Sequence, residues 1–254
     1  LIVLPLSAEL VQVDGTTNTN IDTARNGVTV VNIANPNSKG LSHNKFNKYS
    51  VDQTGLILNN NRNTSANTQL AGHVFGNANL NANAKVILNE VTSTARTHLN
   101  GYTEVAGQRA DLVIANPNGI TMNGAGFINT SNVSFSTGTP IITNGEISSY
   151  NIQGGDIAIE GDGLNTLDSQ SANIYTQFLQ VNADIHAQNL NINLGSKSAN
   201  TNALLLDSSA FGGMYANAIS LVGTNVGVGV NLPPEVLASS GDITITIQGD
   251  IQLD

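Results

Sequence analysis

The chain has 254 residues, of which 40% are apolar and only 11% charged, with no cysteine and a net charge of −9. Without cysteine there is no disulfide, thiolate chemistry or zinc–sulfur site, and the acidic balance argues against nucleic acid as a partner, which calls for a basic patch. The charge is also uneven, with 8 Lys/Arg and 6 Asp/Glu in residues 1–109 but 1 and 12 in residues 110–254, a half suited to a basic partner or simply to solubility.

The chain opens on "LIVLPLSAEL", which reads as a first strand or as the tail of a signal peptide's apolar region ending at Ser7-Ala8. No run approaches the roughly 18 apolar residues of a membrane span, so stable membrane insertion is not expected. Strand signals then follow one another: "GVTVVNIA" at 27–34, "TGLILNN" at 54–60, "DLVIA" at 111–115 and "NVSFST" at 132–137. "GDIAIEG" at 155–161, "NLNINLG" at 189–195, "AISLVG" at 218–223, "VGVGVNL" at 226–232 and "GDITITIQGDIQLD" at 241–254 continue the series. Each is short, alternating or β-branched, and bounded by Gly, Asn, Asp or Ser. The nearest thing to a helix is "AKVILNEV" at 84–91, short and ambiguous. "NLPPEVLASSG" at 231–241 reads as a loop, because Pro233-Pro234 forbids strand pairing.

These strands lack the charged outer face of a sandwich. They share phrases instead: Gly155-Asp156-Ile157, Gly241-Asp242-Ile243 and Gly249-Asp250-Ile251 each open a strand. With 37 asparagines and 25 glycines, the pattern is that of a degenerate solenoid. The expected fold is an all-β parallel β-helix, aliphatic side chains stacked inside and asparagines stitching the turns to the coils above and below. At about 20 residues per coil the chain gives roughly a dozen coils, a stack on the order of 60 Å tall at about 4.8 Å per strand. Because the pattern runs on into "GDIQLD", the segment reads as the start of a longer solenoid.

Little catalytic chemistry is on offer. His43, His73, His98 and His186 have no metal-ligand spacing. Gly40-Leu41-Ser42-His43-Asn44 lacks the second glycine of a nucleophile elbow. Gly161-Asp162-Gly163 and Gly195-Ser196-Lys197-Ser198 are not nucleotide loops. Asp156, Glu160, Asp162 and Asp168 form one carboxylate cluster, read as a solvated turn. A lyase site would want a basic neighbour, and Lys197 is the single Lys or Arg after residue 109. No enzyme activity, cofactor or metal is expected.

Four ordered blocks carry a resemblance: "VNIANPNSKGLSHNKFNKYSVDQTGLILNN" at 31–60, "ILNEVTS" at 87–93, "LNGYTEVAGQRADLVIANPNGI" at 99–120 and "GGMYANAISLVGTNVGVGVNL" at 212–232. Together they resemble the N-terminal secretion domain of two-partner secretion exoproteins: filamentous haemagglutinins, large haemolysins and contact-dependent growth inhibition proteins. The wording is closest to the last of these and to the haemagglutinin-like branch. The family's NPNGI motif is intact as Asn116, Pro117, Asn118, Gly119 and Ile120. Its NPNL motif falls at Asn77, Asn79 and Leu80, with Ala78 in place of proline. Many relatives carry a cysteine pair just after NPNGI, where this chain has Met122 and Ala125.

The resemblance implies a right-handed parallel β-helix with an N-terminal cap, placed at residues 1–60, and a few extra-helical strands. It implies that residues 1–254 are one domain of a much larger exoprotein of a Gram-negative bacterium. That protein passes through the periplasm to the surface or the medium, and the isolated domain is expected to be a monomer. The implied partner is an outer-membrane β-barrel transporter whose periplasmic modules recognise the domain, and through which the chain exits unfolded. The cargo could be an adhesin, a haemolysin or a toxin, and the alternative function is an adhesin module that itself binds carbohydrate or a cell surface. For Asn116–Ile120 two readings stay open: a tight corner of the β-helix, since proline presets φ and asparagine and glycine accept left-handed backbone, or a segment the transporter reads. On turn chemistry alone, aspartate or glycine at position 116 should spare folding.

Overall fold

The computed structural model describes residues 10–195, 205–208, 212–224 and 229–253. Ser7-Ala8 and Ser196-Lys197-Ser198, discussed above, lie outside the described residues. Among the described residues every regular element is a strand. The chain winds through three parallel sheets in a fixed order, first to third to second and back. One such turn runs from Ala110–Ala115 on the first sheet to Ile120–Met122 on the third and Ala125–Ile128 on the second, then returns to the first at Thr130–Ser136. Each strand therefore pairs with its counterpart one coil later, which is the geometry of a parallel β-helix.

Alternation sets the interior. In Asn189–Leu194 the side chains Leu190, Ile192 and Leu194 are buried, while Asn189, Asn191 and Asn193 face out. Register then stacks like on like. One column runs Leu112, Val133, Ala172, Leu190, Ile219, Ile243, and its neighbour runs Ile114, Phe135, Ile174, Ile192, Leu221, Ile245. Each fully buried Ile or Leu contributes about 1.5–3 kcal/mol, and stacking shares that burial between adjacent coils.

Both nine-stranded sheets begin with an antiparallel strand: Val11–Val13 against Leu41–Tyr49, and Asn20–Thr23 against Thr29–Asn32. The edge of the third sheet, Thr97–Leu99, is met by a single bridge from Val51 to Leu99. Two antiparallel hairpins stand outside the coil, Ser65–Thr68 with Gly72–Phe75 and Gly138–Thr143 with Glu146–Ile152.

Two expectations need correction, and one ambiguity is resolved. Among the described residues the stack has about eight coils rather than a dozen, since each large sheet holds nine strands of which the first is antiparallel; eight levels give roughly 35 Å at about 4.8 Å each. Plain coils do match the 20-residue unit, with Asn173 pairing Asn191. The second hairpin, however, lengthens a turn so that Ser134 pairs Asn173, and the cap and first hairpin consume more chain. The ambiguous 84–91 segment is strand Val86–Val91, held between Leu41–Tyr49 and Ala110–Ala115. At 231–241 strand is broken at Pro233-Pro234 and again at 239–241, but Glu235–Ala238 pairs in parallel with Gly213–Ala216. The prolines sit at a corner, where no ladder hydrogen bond is asked of them.

Candidate functional site

Asn116–Ile120 is the corner where the chain leaves the first sheet for the third. Gly119 N donates to Asn116 O at 3.0 Å, closing a β-turn, and Asn118 N donates to Asn116 Oδ1 at 2.9 Å, an Asx-turn inside it. Asn116 Nδ2 donates both its hydrogens to the coil below, to Ala95 O and to Thr97 Oγ1, each at 2.9 Å. Asn116 N donates to Ser136 O of the coil above at 2.8 Å. Asn118 Nδ2 reaches down to Ser93 O at 2.7 Å. Asn116 is 0% exposed and each of its polar groups is partnered. Pro117, half-buried, contributes a preset φ, while Ile120 points into the core.

The departed motif builds the same corner. Leu80 N donates to Asn77 O at 3.2 Å and Asn79 N to Asn77 Oδ1 at 2.9 Å. Asn77 Nδ2 donates to Ile33 O and Asn59 O, at 2.9 and 3.0 Å. Asn79 Nδ2 ties the corner to Asn18 O, between the two antiparallel strands at the start of the stack, and to Asn20 Oδ1 in the second of them, both at 2.8 Å. Leu80 is buried in the main core. Ala78, where the proline would stand, is exposed, so its replacement leaves every one of these bonds in place. Asn77 and Asn116 occupy different corners, and among the described residues no hydrogen bond joins them.

This geometry argues against the expectation that aspartate at 116 spares folding. A carboxylate keeps the Asx-turn acceptor but turns an oxygen towards Ala95 O, where Asn116 now donates. Turn chemistry is local; the bonds that decide the matter run vertically, to the neighbouring coil.

Sequence reasoning missed Arg96. Its guanidinium lies across the outside of the NPNGI corner, giving Nη1 to Asp156 Oδ1 at 2.9 Å and Nη2 to Asp156 Oδ2 at 2.7 Å, a two-pronged pair. Nε donates to Thr121 Oγ1 at 2.8 Å, and the two Nη atoms also reach Asn118 O at 3.4 Å and Ile120 O at 3.3 Å. Gly119 has φ +101°, and a Cβ there would overlap Arg96 Nη1 and come within 2.9 Å of Asp156 O. The motif's glycine thus serves both the backbone and the passage of the arginine. No local signal pairs Arg96 with an acid 60 residues away; Asp156 drew notice only as part of a carboxylate cluster.

The remaining candidates have structural partners. His43 Nε2 lies 2.7 Å from Glu90 Oε2, His186 stacks on Tyr215 with ring centroids 5.0 Å apart, and His73 meets Phe75 edge-on at 6.4 Å. At His98 the backbone N donates to Ser50 Oγ at 3.1 Å. Among the described residues no three His, Asp or Glu side chains converge as a metal site would require. A groove of about 680 Å³ runs between the second hairpin and the first sheet, with Leu41 and Val113 on its floor and Tyr150 and Tyr175 at one end. Its polar wall is largely spent on a ladder: Asn132 Nδ2 donates to Asp111 Oδ1 and Ser171 Oγ to Asn132 Oδ1, both at 2.8 Å, and Asn191 Nδ2 to Asn173 Oδ1 at 3.0 Å.

Comparison with known proteins sets these corners in context. Residues 10–253 match a family model described as "TPS secretion domain". The chain is 44% identical over 252 residues to a 16S rRNA endonuclease CdiA of Enterobacter cloacae, covering 93% of this chain and 8% of that protein. It is 42% identical over 245 residues to a Toxin CdiA of Yersinia pestis, covering 90% and 7%. The chain therefore spans less than a tenth of the length of these relatives. Among solved structures, that of a filamentous hemagglutinin secretion domain superposes with a TM-score of 0.81 at 27% identity, covering 96% of this chain and 99% of the other.

Proposed function

The chain belongs to the TPS secretion domain family, and from that premise we propose that its two asparagine corners are read by an outer-membrane transporter while the chain is still extended. The domain serves secretion: it takes an exoprotein of a Gram-negative bacterium through the periplasm to the cell surface. The observation that supports reading before folding is burial. Asn77 and Asn116 are 3% and 0% exposed, with their side-chain amides bonded inside the coil stack, so a partner has no access to them afterwards. In the extended chain the same residues are open. Ala110–Ala115 is then a β-competent run that can add to a periplasmic sheet edge, with main-chain bonds giving affinity and Asn116–Ile120 giving register. Stacking coil upon coil outside hides the segment and opposes backsliding.

The whole protein's cargo is a separate matter. The nuclease and toxin in the relatives' names belong to proteins of which this segment is 8%. We place any such activity outside residues 1–254 and assign this domain no catalytic role.

Secretion tests the proposal directly. The domain, carrying a signal peptide, is expressed with and without its neighbouring transporter, and the medium is assayed. Transporter-dependent appearance is the expected result. Release without any transporter, or retention despite the cognate one, would overturn it.

A further inference from the structure

The bonds of the NPNGI corner fall into two groups by the order in which the chain supplies them. Those to Ser93 O, Ala95 O and Thr97 Oγ1 involve chain that precedes the corner and can form once residue 118 is on the outer side. Two others wait for later chain: Asn116 N needs Ser136 O, and Arg96 needs the Asp156 carboxylate. Between residues 136 and 156 lies the entire second hairpin. Until Asp156 arrives, the partly buried Arg96 guanidinium faces the Asn118 and Ile120 carbonyls without a counter-charge. Once it arrives, Arg96 is held from both prongs and lies across Gly119, closing the corner from outside.

We propose that Asp156, acting through Arg96, is the latch that seals the NPNGI corner and commits the domain to the outer side of the membrane. Arg96 and Asp156 are positioning residues for secretion: neither need touch the transporter. Their pairing withdraws the corner from any extended-state partner, and it does so only after three successive strands of the third sheet, Thr97–Leu99, Ile120–Met122 and Asp156–Ile159, have come together. An early corner held by asparagine alone can reopen; a latched one is tied to the next coil by opposite charges.

This inference rests on the secretion reading, and the test separates the two. The whole exoprotein is expressed with its cognate transporter, and pulse–chase labelling follows its appearance at the cell surface. Wild type is compared with Asp156→Asn, with Asp156→Glu and with Ile192→Val, a core change one coil and more away. Melting temperatures of the purified domains are measured alongside. Asp156→Asn is expected to slow surface appearance about tenfold, the factor carried by one charge-assisted bond of about 1.4 kcal/mol. Asp156→Glu should recover part of the rate. Ile192→Val, with a similar melting loss, should leave the rate as in wild type. Wild-type kinetics for Asp156→Asn, or equal slowing by Ile192→Val, would overturn the latch. Wild-type release that needs no transporter would instead overturn the secretion reading beneath it.

Discussion

Asn116→Asp isolates the vertical bonds of the NPNGI corner, because it changes one atom pair and little volume. Ionised, the new carboxylate still accepts from Asn118 N, and the Thr97 hydroxyl can turn to donate to it. Its second oxygen, however, faces Ala95 O at the 2.9 Å now spanned by an amide bond, at a site that is 0% exposed. The expected cost at pH 7.5 is about 3 kcal/mol, the lower end of the range for a poorly compensated buried charge. Protonated, the carboxyl O–H replaces the lost N–H donor to Ala95 O and nearly restores the native set. Burial therefore raises this carboxyl's folded pKa above its unfolded value of about 3.9. The penalty is absent below the unfolded pKa, grows as pH rises towards the folded one, and is constant above it. Urea unfolding of wild type and variant, paired at pH 7.5 and near pH 4, should show the difference shrink from about 3 to below about 1 kcal/mol. A pH-independent difference, or none at pH 7.5, would refute the assignment of Asn116 Nδ2 as an essential buried donor.

Gly119→Ala should cost about 2 kcal/mol or more from backbone strain and overlap. Urea midpoints in an Arg96→Ala background should recover only part of it, because the approach to Asp156 O remains. Glu104 is 4% exposed and accepts from Gln69 N and Leu70 N, both at 2.8 Å, at the tip of the first hairpin. Glu104→Gln turns a donor towards a donor; a local loss of about 1–3 kcal/mol should appear as faster protease cleavage within residues 62–76 rather than as a large shift in global melting. Tyr49 is fully buried, its hydroxyl sits near Asn89 and Thr103 without a hydrogen bond, and burial pushes its phenol well above the usual range. The folded state keeps the proton, so stability falls as pH rises past about 10. Tyr49→Phe should change the melting temperature little at pH 7.5 and reduce the loss at pH 10.5.

What the sequence made legible was what repeats locally. The alternation of Asn189–Leu194 predicts a strand with one buried face, and it has one. Val86–Val91 was ambiguous because its apolar run fits two periods, and only pairing on both sides decides for strand. The number of coils was overestimated because dividing the length by about 20 residues gives every residue to the wind, whereas a hairpin such as Gly138–Ile152 pairs antiparallel and outside the stack. Arg96 and Asp156 show the same limit at the site. Register between coils brings such residues together, and register is a property of the whole wind rather than of any window along it.

The start of the stack also gives the wind a direction. At this end the first two sheets present an antiparallel strand, and the third meets a lone bridge from Val51. A coil docking here in the direction of the wind would have to pair antiparallel with Val11–Val13 and Asn20–Thr23, so the parallel ladder of the stack is not continued across this end. At the other end of the described stack Ile243–Ile247, Glu235–Ala238 and Ile251–Leu253 stand at the edges of three parallel ladders, so like-directed strands find a matching row there and not at the start.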